Sequence, residues 1–137
     1  MTLNTREIGQ NCANYIIKEL RKAGYDASEY EEYMDNQDYH IIDCIIPSLG
    51  KPKRIEIKCR NLPQGIIGYD PAYTQFKFYR VDRVDFVICH FIGHPNYLWT
   101  FPSVDFKDLA PEGSLSIGSD KKIKELIPYQ GFKKLPK

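Results

Sequence analysis

Three charged side chains occupy positions where a pair of β-strands would normally carry apolar ones: Asp43, Glu56 and Lys58. Asp43 interrupts the run Ile41-Ile42-Asp43-Cys44-Ile45-Ile46, although aspartate is among the residues least favoured inside strands. Glu56 and Lys58 belong to Arg54-Ile55-Glu56-Ile57-Lys58-Cys59, and because strand side chains alternate they share one face, about 7 Å apart. Between the runs, Pro47, Leu49, Gly50 and Pro52 read as a turn. A hairpin centred on Leu49 and Gly50 sets Asp43 opposite Glu56, with Cβ atoms about 5 Å apart. Two carboxylates that close repel unless a cation lies between them or one takes a proton. A divalent metal with a lysine beside it satisfies all three charges. Mg2+ suits the two carboxylates, since hard cations prefer oxygen ligands and keep several waters, and Mn2+ can stand in for it.

The order of elements around the hairpin extends this reading. Ile8-Gly9-Gln10-Asn11-Cys12-Ala13 leads into a helix that ends Leu20-Arg21-Lys22-Ala23-Gly24-Tyr25. Downstream, Val84-Asp85-Phe86-Val87-Ile88 and Tyr97-Leu98-Trp99-Thr100-Phe101-Pro102 supply two further strands. From residue 6 to residue 102 the chain resembles the PD-(D/E)XK nuclease superfamily, in which an aspartate on one strand precedes Glu-x-Lys on the next. The resemblance implies a restriction-endonuclease-like α-β-β-β-α-β-β core with a mixed central sheet. It implies a metal-dependent nuclease acting on DNA phosphodiesters, with Asp43, Glu56 and the Ile57 carbonyl as metal ligands. Lys58 would then orient or deprotonate the attacking water, or neutralise the transition state. Small members of the family include Holliday-junction resolvases and short restriction-type endonucleases, and many act as homodimers. A family glutamate of the first helix is replaced here by Gln10, with Glu7 one turn earlier on the same helical face. Glu7 could supply the missing carboxylate, or it could complete a capping box with Asn4. The rival readings are a catalytically silent module of the same fold that binds nucleic acid, and an unrelated α/β binding protein whose hairpin charges are surface decoration.

The elements that must hold these residues follow from periodicity. Ile8, Cys12, Ala13, Ile16, Ile17 and Leu20 recur at helical spacing across residues 5–23, and Arg21, Lys22 and Gly24 form a favourable helix end. A polar first strand is expected over residues 26–33, and Met34 to Asp38 reads as a turn. After a loop with Gly65 and Gly68, Pro71 is expected to open a second helix carrying Tyr73, Phe76, Lys77, Phe78, Tyr79 and Arg80. Residues 85–91 and 97–101 read as strands joined by a turn at Gly93-His94-Pro95-Asn96. A short helix over residues 120–126 is capped by Ser119 or Asp120.

At 137 residues the chain fits one domain with a real core, here read as residues 6–102 plus a C-terminal extension over 103–137. Hydrophobic content of 42% and charged content of 27% are those of a globular protein. A net charge of +1 gives no global attraction to nucleic acid, so DNA contact needs a local basic patch. No apolar run is long enough to cross a membrane, and the N-terminus does not resemble a signal peptide. Cys12, Cys44, Cys59 and Cys89 sit in apolar segments as buried thiols do, which fits a reducing, cytoplasmic setting.

Other residues carry less. Asp38 is a second candidate for the motif aspartate but stands nearer the turn than the strand. Arg60 could meet a phosphate through its bidentate fork, or simply be a solvated strand end. Gln75 could touch substrate, though a surface glutamine is the plainer reading. Cys89, His90 and His94 lack the second ligand pair that a zinc site needs. Tyr69, Tyr73, Phe76, Phe78 and Tyr79 could stack on bases, but such a cluster more often packs a core. Lys133, Lys134 and Lys137 form a basic tail of the kind that is usually solvated.

Overall fold

The computed structural model describes residues 5–29, 44–47, 51–61, 75–78 and 80–136. Helix α1 (Thr5–Lys22) buries Cys12, Ile16, Ile17 and Leu20, the expected apolar stripe. It closes through Gly24 at φ 100°, where the Gly24 N–H donates to the Arg21 carbonyl and the Tyr25 N–H to the Leu20 carbonyl, both at 3.0 Å. Both bonds satisfy carbonyls left over at the helix end, and a positive φ is cheap only for glycine.

Five strands form the main sheet in the order β1-β2-β3-β5-β6: β1 (Ser28–Glu29), β2 (Cys44–Ile46), β3 (Lys53–Asn61), β5 (Phe86–Ile92) and β6 (Leu98–Pro102). β2 runs antiparallel to β3, β3 parallel to β5, and β5 antiparallel to β6, so the sheet is mixed, as expected. Cys44 lies opposite Ile55, Ile45 opposite Arg54 and Ile46 opposite Lys53. That is the register the hairpin reading requires. Asp43 itself, with Asp38 and the expected turn at residues 34–38, lies outside the described residues.

The sheet separates two cores. On one face α1 packs Cys12, Ile16, Ile17 and Leu20 against Ile46, Ile55, Ile57 and Ile88. On the other, Val87, Cys89, Phe91, Trp99 and Phe101 meet Phe76, Phe78, Phe106, Leu115, Ile117 and Leu126. This second core draws on α2 (Ser103–Leu109), on the region of α3 (Asp120–Glu125), and on a two-stranded sheet of β4 (Gln75–Lys77) and β7 (Ser114–Ser116). The Ser119 hydroxyl accepts from the Lys122 N–H at 3.2 Å, which makes Ser119 the cap of α3. Farther on, the Gly131 N–H donates to the Leu98 carbonyl at 2.8 Å, and the Thr100 hydroxyl to the Gly131 carbonyl at 2.7 Å. Leu135 then buries in the core beneath α1.

Two expectations need correction. The helix expected to start at Pro71 is instead strand β4 where the chain is described; Pro71, Tyr73 and Tyr79 fall outside the described residues. Phe76 and Phe78 are both buried while Lys77 between them is exposed, a two-residue period. A helix would set those two rings roughly 200° apart around its axis, so only one of them could reach the core. Both rings are core, the plainer of the two readings of the aromatic cluster. Second, Cys12 and Cys59 are not free thiols: they form a disulfide between α1 and β3, with Cα atoms 6.6 Å apart, while Cys44 and Cys89 are buried outside any disulfide. The reducing setting therefore no longer follows from four free thiols. Among the described residues, no helix is long and apolar enough to cross a membrane.

The disulfide spans a sequence separation of 47 residues. Closing a loop of that size restricts the unfolded chain, so reduction or Cys59→Ser is expected to cost about 2–4 kcal/mol in urea unfolding. A Cys12→Ser/Cys59→Ser double variant should then be no less stable than either single one.

Candidate active site

Alternation along β3 divides its side chains between the two cores. Ile55 and Ile57 face α1, and Cys59 reaches it through the disulfide. Glu56, Lys58 and Arg60 face the other way, where Glu56 is paired with Val87 of β5 and Lys58 with Cys89. At the start of the strand, Asp85 Oδ2 accepts from the Arg54 N–H at 2.8 Å and from Arg54 Nε at 3.3 Å. This clamp ties the N-terminal ends of β3 and β5 together.

Glu56 is only 5% exposed. A buried carboxylate is costly unless it is paired and hydrogen-bonded. Lys58 Nζ lies 3.6 Å from Glu56 Oε1, and the lysine side chain is 36% exposed. The same ammonium sits 5.4 Å from the centre of the Phe78 ring, within cation–π range. Cys89 forms part of the floor. Burial pushes its thiol pKa up, Lys58 pulls it down and Glu56 adds to the rise, so the sulfur feels both charges. A thiol held protonated in this way is a structural group and a poor nucleophile.

The structure thus brings Glu56 and Lys58 together and sets Ile57 on the opposite face, its side chain 8% exposed, so that only its backbone could serve a ligand on the Glu56 side. Asp43 lies outside the described residues. Glu7 and Gln10 are exposed on the first half of α1. Their neighbours Ile8 and Asn11 line a cavity together with Asn61, at the far end of β3. Asn61 is five residues beyond Glu56, roughly 16 Å along the strand, and α1 covers the other sheet face. Glu7 and Gln10 thus lie on the helix that covers the sheet face opposite Glu56 and Lys58. Arg60 is half-buried on β3, and Gln75 is half-buried on β4 opposite Ser116. Among the described residues, no three His, Cys, Asp or Glu side chains gather to hold a metal. Cys89 and His90, being sequence neighbours on β5, point to opposite faces.

Two contributors to the site were not read from the sequence. The sequence pattern puts Phe78 on a helix, and it reads Cys89 as a buried thiol or a zinc candidate rather than as part of this site. The Phe76-x-Phe78 alternation was the available signal for the first. The second depends on a parallel pairing between distant strands, which no local pattern encodes.

No family model and no curated protein matches this sequence. Among solved structures, a bacterial homing endonuclease is similar, with a TM-score of 0.58 over 93% of this chain and 89% of that one, at 14% identity. The fold is nuclease-like. At that identity the likeness reaches the mixed α/β architecture and stops short of individual residues.

Two outcomes test this geometry. Lys58→Met removes the lysine from a buried carboxylate; discounted for screening of a partly exposed ammonium, the loss is about 1–2 kcal/mol by urea melt. Lys58→Arg, which keeps the charge, should lose less. The second outcome concerns His90, which is 2% exposed and whose Nδ1–H donates to the Tyr97 carbonyl at 2.9 Å. Burial lowers its pKa below the ordinary 6.5; the Tyr97 bond opposes this, His94 adds to it, and Glu19 opposes it. The unfolded chain then takes up the proton first, so this contribution is intact above about pH 6.5 and is lost progressively as pH falls below it. Between about pH 7 and pH 5 the melting temperature of the wild type should fall more steeply than that of His90→Phe.

Proposed function

We propose that this protein is a divalent-metal-dependent nuclease of the PD-(D/E)XK type that cleaves DNA phosphodiester bonds, with its active site on the β2–β3 pair. The observation that carries the reading is the buried Glu56 carboxylate with the Lys58 ammonium 3.6 Å away on the same face of a nuclease-like sheet. The β2–β3 register supports it: Cys44 lies opposite Ile55, as the hairpin expected from the sequence requires. The solved homing endonuclease of similar fold favours DNA as the substrate.

The donor chemistry fits a hard cation. Glu56 offers carboxylate oxygen, Asp43 would add a second, and the Ile57 carbonyl would complete the protein's share; Mg2+ takes such ligands and Mn2+ can replace it. The metal, when bound, would lower the pKa of a bound water and stabilise charge on the scissile phosphate. Lys58 would orient or help deprotonate the attacking water, or hold its ammonium against the developing phosphate charge. Its ammonium sits over the Phe78 ring while the side chain is 36% exposed, so it can stay near Glu56 and still meet a substrate. The positions of Glu7 and Gln10 favour a role for Glu7 at the start of α1, where a carboxylate suits the helix dipole. A homodimer would let two such sites cut both strands of a duplex.

Plasmid nicking in Mg2+ and in Mn2+ tests the reading. Wild type should nick supercoiled DNA; Asp43→Asn, Glu56→Gln and Lys58→Ala should each abolish it, while Glu7→Gln should keep turnover and lose about 1 kcal/mol or less of stability. Lys58→Ala should leave metal affinity largely intact. A wild type inert in both metals, across duplex, branched and single-stranded substrates, would leave a silent nucleic-acid-binding module of the same fold.

A further inference from the structure

On the sheet face away from Glu56 and Lys58, a cavity of about 480 Å³ opens between the first half of α1, the C-terminal ends of β3 and β5, and the turn after β5. Its volume is that of a small-molecule site. Ile8, Cys12 and Ile92 make it apolar, and Tyr15 and His90 form a stacked pair, ring centres 5.4 Å apart and planes 25° from parallel. Asn11 and Asn61, both exposed, add one carboxamide from the helix and one from the end of β3.

His90 gives this cavity its chemistry. Its Nδ1–H is committed to the Tyr97 carbonyl, so Nε2 is the acceptor of a neutral ring. Among the described residues that nitrogen has no hydrogen-bond partner, and no buried side-chain nitrogen or oxygen there lacks one. Nε2 therefore reaches the cavity. A lone acceptor in an apolar, ring-walled space calls for a flat ligand that brings an N–H donor, and carboxamides present the paired donor and acceptor that match a heterocycle's edge.

We propose that this cavity binds a purine or pyrimidine base, stacked near Tyr15, donating an N–H to His90 Nε2 and meeting the Asn11 and Asn61 amides at its edge. The choice of a base over other flat donors rests on the nuclease reading; the geometry of the cavity does not. The base could belong to a free nucleoside or to an unpaired position of a strand, since either presents the same edge and ring face.

The test is calorimetric titration of the full chain with adenosine, guanosine, cytidine and thymidine, and with a single-stranded octanucleotide of mixed sequence. At least one nucleoside should bind with Kd below about 1 mM, and tighter binding of the octanucleotide would identify a strand as the source. Asn11→Trp, at an exposed rim position, should block entry and weaken binding at least about tenfold. His90→Phe should do the same; it keeps a ring beside Tyr15, and the Tyr97 carbonyl retains the Phe91 N–H at 3.0 Å. No binding of any nucleoside or of the octanucleotide overturns the proposal, as does binding that both variants leave unchanged. The same titrations in Glu56→Gln separate the two readings. Base binding there, with a wild type that never cleaves DNA, sinks the nuclease and leaves the cavity; cleavage without base binding does the reverse.

Discussion

β3 has to satisfy two opposed environments at once, and the rest of the molecule is arranged around that constraint. One side of the strand is an apolar row that α1 covers. The other carries Glu56 and Lys58 into the company of Val87, Cys89 and Phe78, where an unpaired charge could not stay. The period of two keeps the rows apart, and a slip of one residue would exchange them. Register is accordingly held from both sides: by β2 over Cys44 to Ile46, and by β5 along seven paired positions with the Arg54–Asp85 clamp at their start. The disulfide adds a covalent pin at Cys59, immediately after Lys58.

Local signals were legible in the sequence and non-local ones were not. The stripe of α1, its glycine closure, the Ser119 cap and strands β5 and β6 each follow from residues within a few positions of one another. β4 did not, because it pairs over only three residues with β7, and that partner lies some forty positions on. Pro71 and a run of aromatic and basic residues looked helical until Phe76 and Phe78 had a surface to share. The Cys12–Cys59 bond spans two elements with no short motif between them.

The candidate site was half legible. Glu-x-Lys on a strand reads directly as one face with two charges, and the pair is found there. The stripe of α1 showed that the helix packs on something, but no helical period can say which face of a sheet it will cover. That choice puts Glu7 and Gln10 on the element across the sheet from Lys58. It also leaves the first turns of α1 beside the strand ends, where Asn11, Tyr15 and His90 gather into a cavity for which no motif exists.

The segment after α3 has a consequence for assembly. Gly131 bonds to Leu98, Gln130 bridges to Trp99, and Thr100 holds the Gly131 carbonyl, so the outer side of β6 is already engaged along its first half. An open strand border is a template on which another chain can build. Here the chain has spent that border on itself. A second copy cannot lengthen the sheet at Leu98 to Thr100 without first peeling away the protein's own C-terminal segment and exposing Leu135, which is buried beneath α1. A pairing of two copies would therefore have to be made elsewhere than at Leu98 to Thr100.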